Sequence, residues 1–96
     1  MAHPRPEFTS FAEKVDYYHK LVAKFRRACT QVVLLNNAIT DCQTRYDRAM
    51  KEDQPTFRYI YRLRLMIIED VRDRFYEYAV QVGGQIDNIQ AELYND

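Results

Sequence analysis

Glu52-Asp53-Gln54-Pro55 is the stretch on which the fold turns. Proline disfavours a helical residue before it and suits the first turn of a new helix. The three residues ahead of it are polar and contribute nothing to a core. On either side runs a long apolar pattern with the period of a helix.

Upstream, Phe11, Val15, Tyr18, Val22, Phe25, Cys29, Val32, Asn36, Ile39, Gln43, Tyr46 and Met50 follow one another in alternating steps of four and three. Only Asn36 and Gln43 depart from residues that pack in a helical seam, so the run reads as a coiled-coil stripe. Ser10 and Glu13 have capping-box spacing just before it. Downstream, Tyr61, Leu65, Ile68, Arg72, Phe75, Ala79, Val82, Ile86, Ile89 and Leu93 repeat the pattern, and only Arg72 departs. The spacing predicts helix 1 over about 10–52, a turn at 53–55 and helix 2 over about 56–94. Residues 1–8, with two of the three prolines, read as a flexible tail, and 9–96 as the helical domain.

Asn36-Asn37 and Gly83-Gly84 are the two candidate interruptions. Thr40 with Gln43 offers a cap for a new start after the first. The seam keeps its phase through both, so helix 1 is read as continuous. At the glycines a kink is expected, with a short separate terminal helix as the alternative.

Two helices of roughly 60 Å, joined by so short a turn, must run antiparallel. Folding the two stripes together pairs positions whose numbers sum to 107 or 108: Tyr46 with Tyr61, Val32 with Phe75, Phe25 with Val82. The polar break at Asn36 then meets the polar break at Arg72. These two residues are read as a polar layer that sets register, because a guanidinium needs acceptors and an Asn carbonyl is one. The rival reading has Arg72 extending outward and Asn36 half-exposed.

The composition agrees with this fold. Hydrophobic residues make up 47% of the 96, too many for a disordered chain, and there are only two glycines and three prolines, too few to punctuate a many-stranded sheet. The fold class expected is all-α, a long antiparallel helical hairpin.

A single hairpin buries one stripe per helix, and this sequence carries a second. Leu21, Ala28, Leu35 and Cys42 recur every seven residues in helix 1, and Ile60, Ile67, Val71 and Tyr78 flank the seam of helix 2. An apolar arc this wide suits a helix with neighbours on two sides. The second stripe is therefore expected to be an interface, with two hairpins forming a four-helix bundle or one docking on other helical proteins. A three-helix monomer is the structural rival.

The net charge is zero, 14 basic against 14 acidic residues, which weighs against a nucleic-acid coat protein. That zero hides an asymmetry. Residues 1–51 hold nine Lys/Arg and five Asp/Glu, and residues 52–96 hold five and nine, so the arms carry +4 and −4. Arg45, Arg48, Lys51, Arg58 and Arg62 gather near the turn, a possible basic tip for nucleic acid, an acidic cytoskeletal surface or anionic lipid.

Catalytic and metal signatures are not found. Asp16-Tyr17-Tyr18-His19 is one inexact echo of the Glu-x-x-His element that di-metal bundles need twice. No Cys-x-x-Cys, Gly-x-Ser-x-Gly or P-loop occurs. The expectation is a non-enzymatic self-assembly subunit, adaptor or scaffold, with no cofactor and no metal. Met1–Ser10 lacks the apolar core of a signal peptide, and the longest strongly apolar run, Leu65-Met66-Ile67-Ile68, is far too short to span a bilayer. Cys29 and Cys42 lie too far apart along one helix for a disulfide, which predicts a reducing cytosolic or nuclear setting.

Overall fold

A computed structural model describes residues 6–95. It contains two α-helices, α1 (Phe11–Lys51) and α2 (Pro55–Asn95), each of 41 residues, and no strand among the described residues. They pack against each other as an antiparallel, coiled-coil-like hairpin measuring 64 × 23 × 15 Å.

The first helix starts where Ser10 leaves the extended region, at φ −149° and ψ 160°. Ser10 Oγ accepts the Glu13 N–H at 3.2 Å, as a capping serine should. The return arm differs from the box expected. Glu13 Oε2 accepts the N–H of Thr9 at 2.8 Å, one residue ahead of the cap. This ties down the chain preceding the helix. Phe8 is half-buried, and its ring lies 5.0 Å from that of Tyr17. Phe8, expected to belong to a flexible tail, is packed, because an aromatic ring there gains apolar contact by folding back. Residues 1–5 of that tail lie outside the described residues.

At the far end α1 closes in a Schellman motif. Gln54 N–H donates to Ala49 O at 2.9 Å and Asp53 N–H to Met50 O at 3.4 Å. The motif needs a left-handed residue after the cap, and Asp53 fills that place at φ 51°. Gln54 O then accepts the Arg58 N–H at 2.9 Å, opening α2 with Pro55 in its first turn. The turn is thus locked by backbone bonds on both sides.

Neither candidate interruption breaks a helix. Through Asn36-Asn37 the α-helix continues, and Thr40 caps nothing: its hydroxyl donates to Asn36 O at 3.1 Å within the same helix. Gln43 Nε2 binds Asp47 Oδ1 at 3.0 Å instead. Through Gly83-Gly84 α2 is likewise continuous, so there is no separate terminal helix.

The seam of α2 runs where the spacing places it. Leu65, Ala79, Val82 and Ile89 are buried, and Tyr61, Ile68, Arg72, Phe75, Ile86 and Leu93 are half-buried. In α1 the seam is rotated by one residue. Leu21, Ala28, Cys42 and Ala49 are buried, with Tyr18, Phe25, Val32, Leu35, Ile39 and Tyr46 half-buried around them. Asn36, Gln43 and Met50, expected in the seam, are exposed, and Val22 and Cys29 lie half-buried at its edge.

The cause is polarity. Both patterns share the column 18-25-32-39-46, and the helix chooses which neighbouring column faces α2. The 22-to-50 column would take Asn36 and Gln43 out of water, at about 1–3 kcal/mol for each amide left unpaired. The 21-to-49 column has no polar member. Its alanines at 28 and 49 also let the two helices approach closely.

Candidate functional site

Rotation of the α1 seam redistributes the second apolar stripe. Its first-helix half, Leu21, Ala28, Leu35 and Cys42, faces α2 inside the hairpin and is not available as an outer surface. Leu21 joins Val82 and Ile89 in a buried cluster, with Phe8, Tyr17, Tyr18, Phe25 and Ile86 packed around it. Cys42 Sγ donates to Tyr61 O at 3.4 Å. The second-helix half stays outside. Ile67 is 64% exposed, Val71 and Tyr78 are also exposed, and Ile60 is half-buried.

Asn36 and Arg72 meet. Arg72 Nη1 donates to Asn36 Oδ1 at 3.1 Å, and Arg72 Nε pairs with Asp73 Oδ1 at 3.0 Å. The contact is at the rim of the seam: Asn36 is exposed and the Arg72 side chain is 32% exposed. The two residues form a bonded polar bridge on one flank of the hairpin, reached by water, and not a buried layer. The α1 rotation is the reason, since it carries Asn36 outward.

This bridge distinguishes the two long flanks. Three and a half residues per turn put a position two residues away almost opposite on the helix. Leu34 therefore lies on the flank away from Asn36, and Ala38 borders the same side. On α2, Ile67, Val71 and Tyr78 recur at four and seven residues on that side too. An open groove near the turn joins the corresponding edges of both helices, with Asp41, Arg45 and Arg48 on α1 and Phe57 and Tyr61 on α2. So Leu34 (54% exposed), Ala38, Ile67 and Val71 share one flank near mid-length. The sequence already places Leu34, with Val33, in the widened apolar arc of helix 1; Ala38 is the member it did not assign, and the signal that marks it is its position two residues from Asn36.

The basic group near the turn is divided. Arg45 and Arg48 line the groove, and Arg45 is paired with Asp41 at 3.2 Å. Arg58 Nη1 contacts Met50 Sδ at 3.6 Å. Lys51 and Arg62 are exposed. Phe57 stacks near Tyr61 at 6.4 Å, and Arg64 lies 5.7 Å from the Tyr61 ring. These cations surround the turn and do not converge on one point.

A proton-affinity change marks the helix start. The Thr9 N–H holds the Glu13 carboxylate below its ordinary range. Among the described residues no group of three or more His, Cys, Asp or Glu is placed to hold a metal ion. No described helix is long and apolar enough to cross a membrane. Both cysteines are free thiols.

Fold and surface together define a class: an antiparallel helical hairpin with an apolar outer flank. No protein-family model, no curated protein and no solved structure matches the chain.

Proposed function

We propose that this protein is a non-enzymatic association module, a self-assembling hairpin that serves as adaptor or scaffold subunit in a larger helical assembly. The observation that carries the reading is surplus surface. The chain exposes 7551 Å². A compact monomer of 11.5 kDa exposes about 5,800 Å² by the usual scaling of area with mass. The excess is about 1,750 Å². Among the described residues fourteen large apolar or aromatic side chains are exposed, against eight buried apolar ones. Monomers seldom leave that much apolar surface in water. A four-helix bundle of two hairpins is the arrangement that covers it most simply. Two free thiols, one of them buried, fit a cytosolic or nuclear setting.

Light scattering at two or more concentrations tests the reading. The expected result is a mass above 11.5 kDa that falls on dilution. A monomer mass at every concentration overturns self-association.

A second reading is favoured by the groove at the turn, where Arg45 and Arg48 lie beside Phe57 and Tyr61. Cations next to aromatic rings suit an acidic polymer such as single-stranded nucleic acid, or anionic lipid. Its mark is binding that weakens steeply with salt and is lost in Arg45→Gln/Arg48→Gln.

A further inference from the structure

We infer that the broad flank opposite the Asn36–Arg72 bridge is a docking surface for an anionic lipid bilayer, on which the hairpin lies lengthwise with both helices in the plane of the headgroups. The inference deepens the second reading above. It commits to lipid and extends the contact from the groove at the turn along the rod.

Charge selects the flank. The buried positions of the two helices fix which columns of the seven-residue repeat face each side. The columns through Arg45 and Arg48 on α1, and through Phe57 on α2, border the groove at the turn. Followed along the rod, the α1 columns add Lys20, Lys24 and Arg27. The α2 column adds Arg64, and the column outside it, through Ile60 and Ile67, adds Arg74. This flank therefore holds seven cations against three acids, Glu13, Asp41 and Glu92. Glu13 and Glu92 stand at the end away from the turn, so only Asp41 interrupts the basic run.

The flank of the bridge is neutral. Arg26 and Arg62, with Arg58 and Arg72 reaching to Met50 and Asn36, are balanced there by Asp47, Glu69, Asp73 and Asp87. Val33, Met66, Tyr76 and Val80 are exposed on that side. Apolar exposure thus does not choose between the flanks, and charge does.

The cations are available to a ligand. Lys20 pairs with Asp16 at 3.0 Å, Arg45 with Asp41 at 3.2 Å and Arg74 with Asp70 at 3.0 Å. Such exposed pairs hold a cation only weakly. Lys24, Arg27, Arg48 and Arg64 are exposed and have no acidic partner among the described residues. Lys24 and Arg48 alone lie about 36 Å apart along the helix.

Shape and the residues between the cations point to the occupant. Two helices side by side make this flank the 64 × 23 Å face of a body 15 Å thick. A nucleic-acid duplex or an acidic helix is a convex cylinder, which meets a broad face along one line. A bilayer is flat over the full length and brings anionic headgroups to cations of both helices at once. Leu34, Ile67 and Val71 are exposed at mid-length among those cations. Phosphates gain nothing from them, whereas the acyl boundary just below the headgroups takes them, as it takes the apolar face of an interfacial helix. Exposed Tyr78, apolar in its ring and polar at its hydroxyl, suits the same depth.

The test is flotation of the full chain with vesicles of phosphatidylcholine, with and without phosphatidylserine, over a salt series. Binding is expected with phosphatidylserine only, weakening as salt rises. Lys24→Gln/Arg27→Gln, far from the turn, is expected to lower the partition coefficient about tenfold or more. Arg26→Gln/Arg62→Gln on the other flank should leave it unchanged. Ile67→Ser/Val71→Ser should lower it with every charge intact, and Leu34→Ser replaces that pair if circular dichroism shows lost helicity. No flotation, or equal flotation with both vesicles, overturns the proposal. A loss in Arg45→Gln/Arg48→Gln without one in Lys24→Gln/Arg27→Gln overturns the lengthwise contact and leaves only the groove at the turn. Equal losses from both flanks overturn the choice of flank, and apolar variants that float like the parent overturn the seating of Leu34, Ile67 and Val71. DNA that strips the chain from phosphatidylserine vesicles at equal phosphate concentration overturns lipid as the occupant. Light scattering without vesicles reads self-association separately, so failure of that reading and failure of this one are distinguishable.

Discussion

Arg72 Nη1 reaches across the hairpin to Asn36 Oδ1 at 3.1 Å, at the rim of the seam, where water also has access. A rim-exposed polar contact of this kind contributes about 0–1 kcal/mol. Position 72 itself belongs to the α2 seam, so an apolar side chain there gains contact with α1. Arg72→Leu is therefore expected to raise stability by about 1 kcal/mol, and Asn36→Ala to lower it by less than about 1 kcal/mol. Urea midpoints at one fixed protein concentration measure both. A loss above about 1 kcal/mol in Arg72→Leu would show that the polar bridge outweighs apolar packing.

Asp53 occupies the left-handed position of the Schellman motif at φ 51°. An L-residue is held there at a cost that glycine avoids. Asp53→Gly is expected to stabilise the hairpin by about 0.5–1 kcal/mol, less whatever the unfolded chain gains in freedom. Asp53→Val, β-branched and unsuited to positive φ, should destabilise it by more than that. Thermal midpoints of the three chains order the series, and a Val variant as stable as the parent would contradict it.

The two glycines sit inside a helix that has no use for their freedom. A Cβ at Gly83 meets Phe25 Cε2 at 3.5 Å, ordinary contact, and one at Gly84 meets nothing within 4 Å. Gly83→Ala and Gly84→Ala are each expected to add up to about 1 kcal/mol, and the pair nearly the sum. Denaturation followed by circular dichroism reads the gain. A loss at Gly83→Ala alone would mean that the helices need closer approach there than an alanine permits.

The Glu13 carboxylate, held below its ordinary range by the Thr9 N–H, makes the helix start pH-dependent. A depressed folded value means the contribution is complete above the unfolded glutamate value and is lost as pH falls through the folded one. Glu13→Gln should be less stable than the parent at neutral pH, and the difference should shrink at acid pH as the parent carboxyl takes up its proton. An equal gap at both pH values would contradict a role for the charge.

Much of this fold is legible in the residues alone. Glu52-Asp53-Gln54-Pro55 divides two apolar repeats, and nothing but a hairpin joins helices of that length through so short a turn. The α2 seam from Tyr61 to Leu93 is equally plain, because one column of its repeat is apolar except at Arg72. The level of Asn36 with Arg72 follows from the turn and the rise per residue. The exposed apolar surplus on α2, with Ile67, Val71 and Tyr78, is also visible from the width of its arc.

Tertiary structure decided the rest. The apolar arc of α1 is wide enough to hold two seams that share Tyr18, Phe25, Val32, Ile39 and Tyr46. Helical period alone does not choose between neighbouring columns about 100° apart; contact with α2 does, by burying Leu21, Ala28, Cys42 and Ala49 and leaving Asn36 and Gln43 in water. That single rotation moved half of the second stripe into the core, put the Asn36–Arg72 bridge at the rim and made Leu34 and Ala38 part of an outer flank. Phe8, against Tyr17 and the cluster of Leu21, Val82 and Ile89, is likewise covered only in the folded hairpin. Periodicity says which faces are apolar, and only a packed neighbour says which of them are covered.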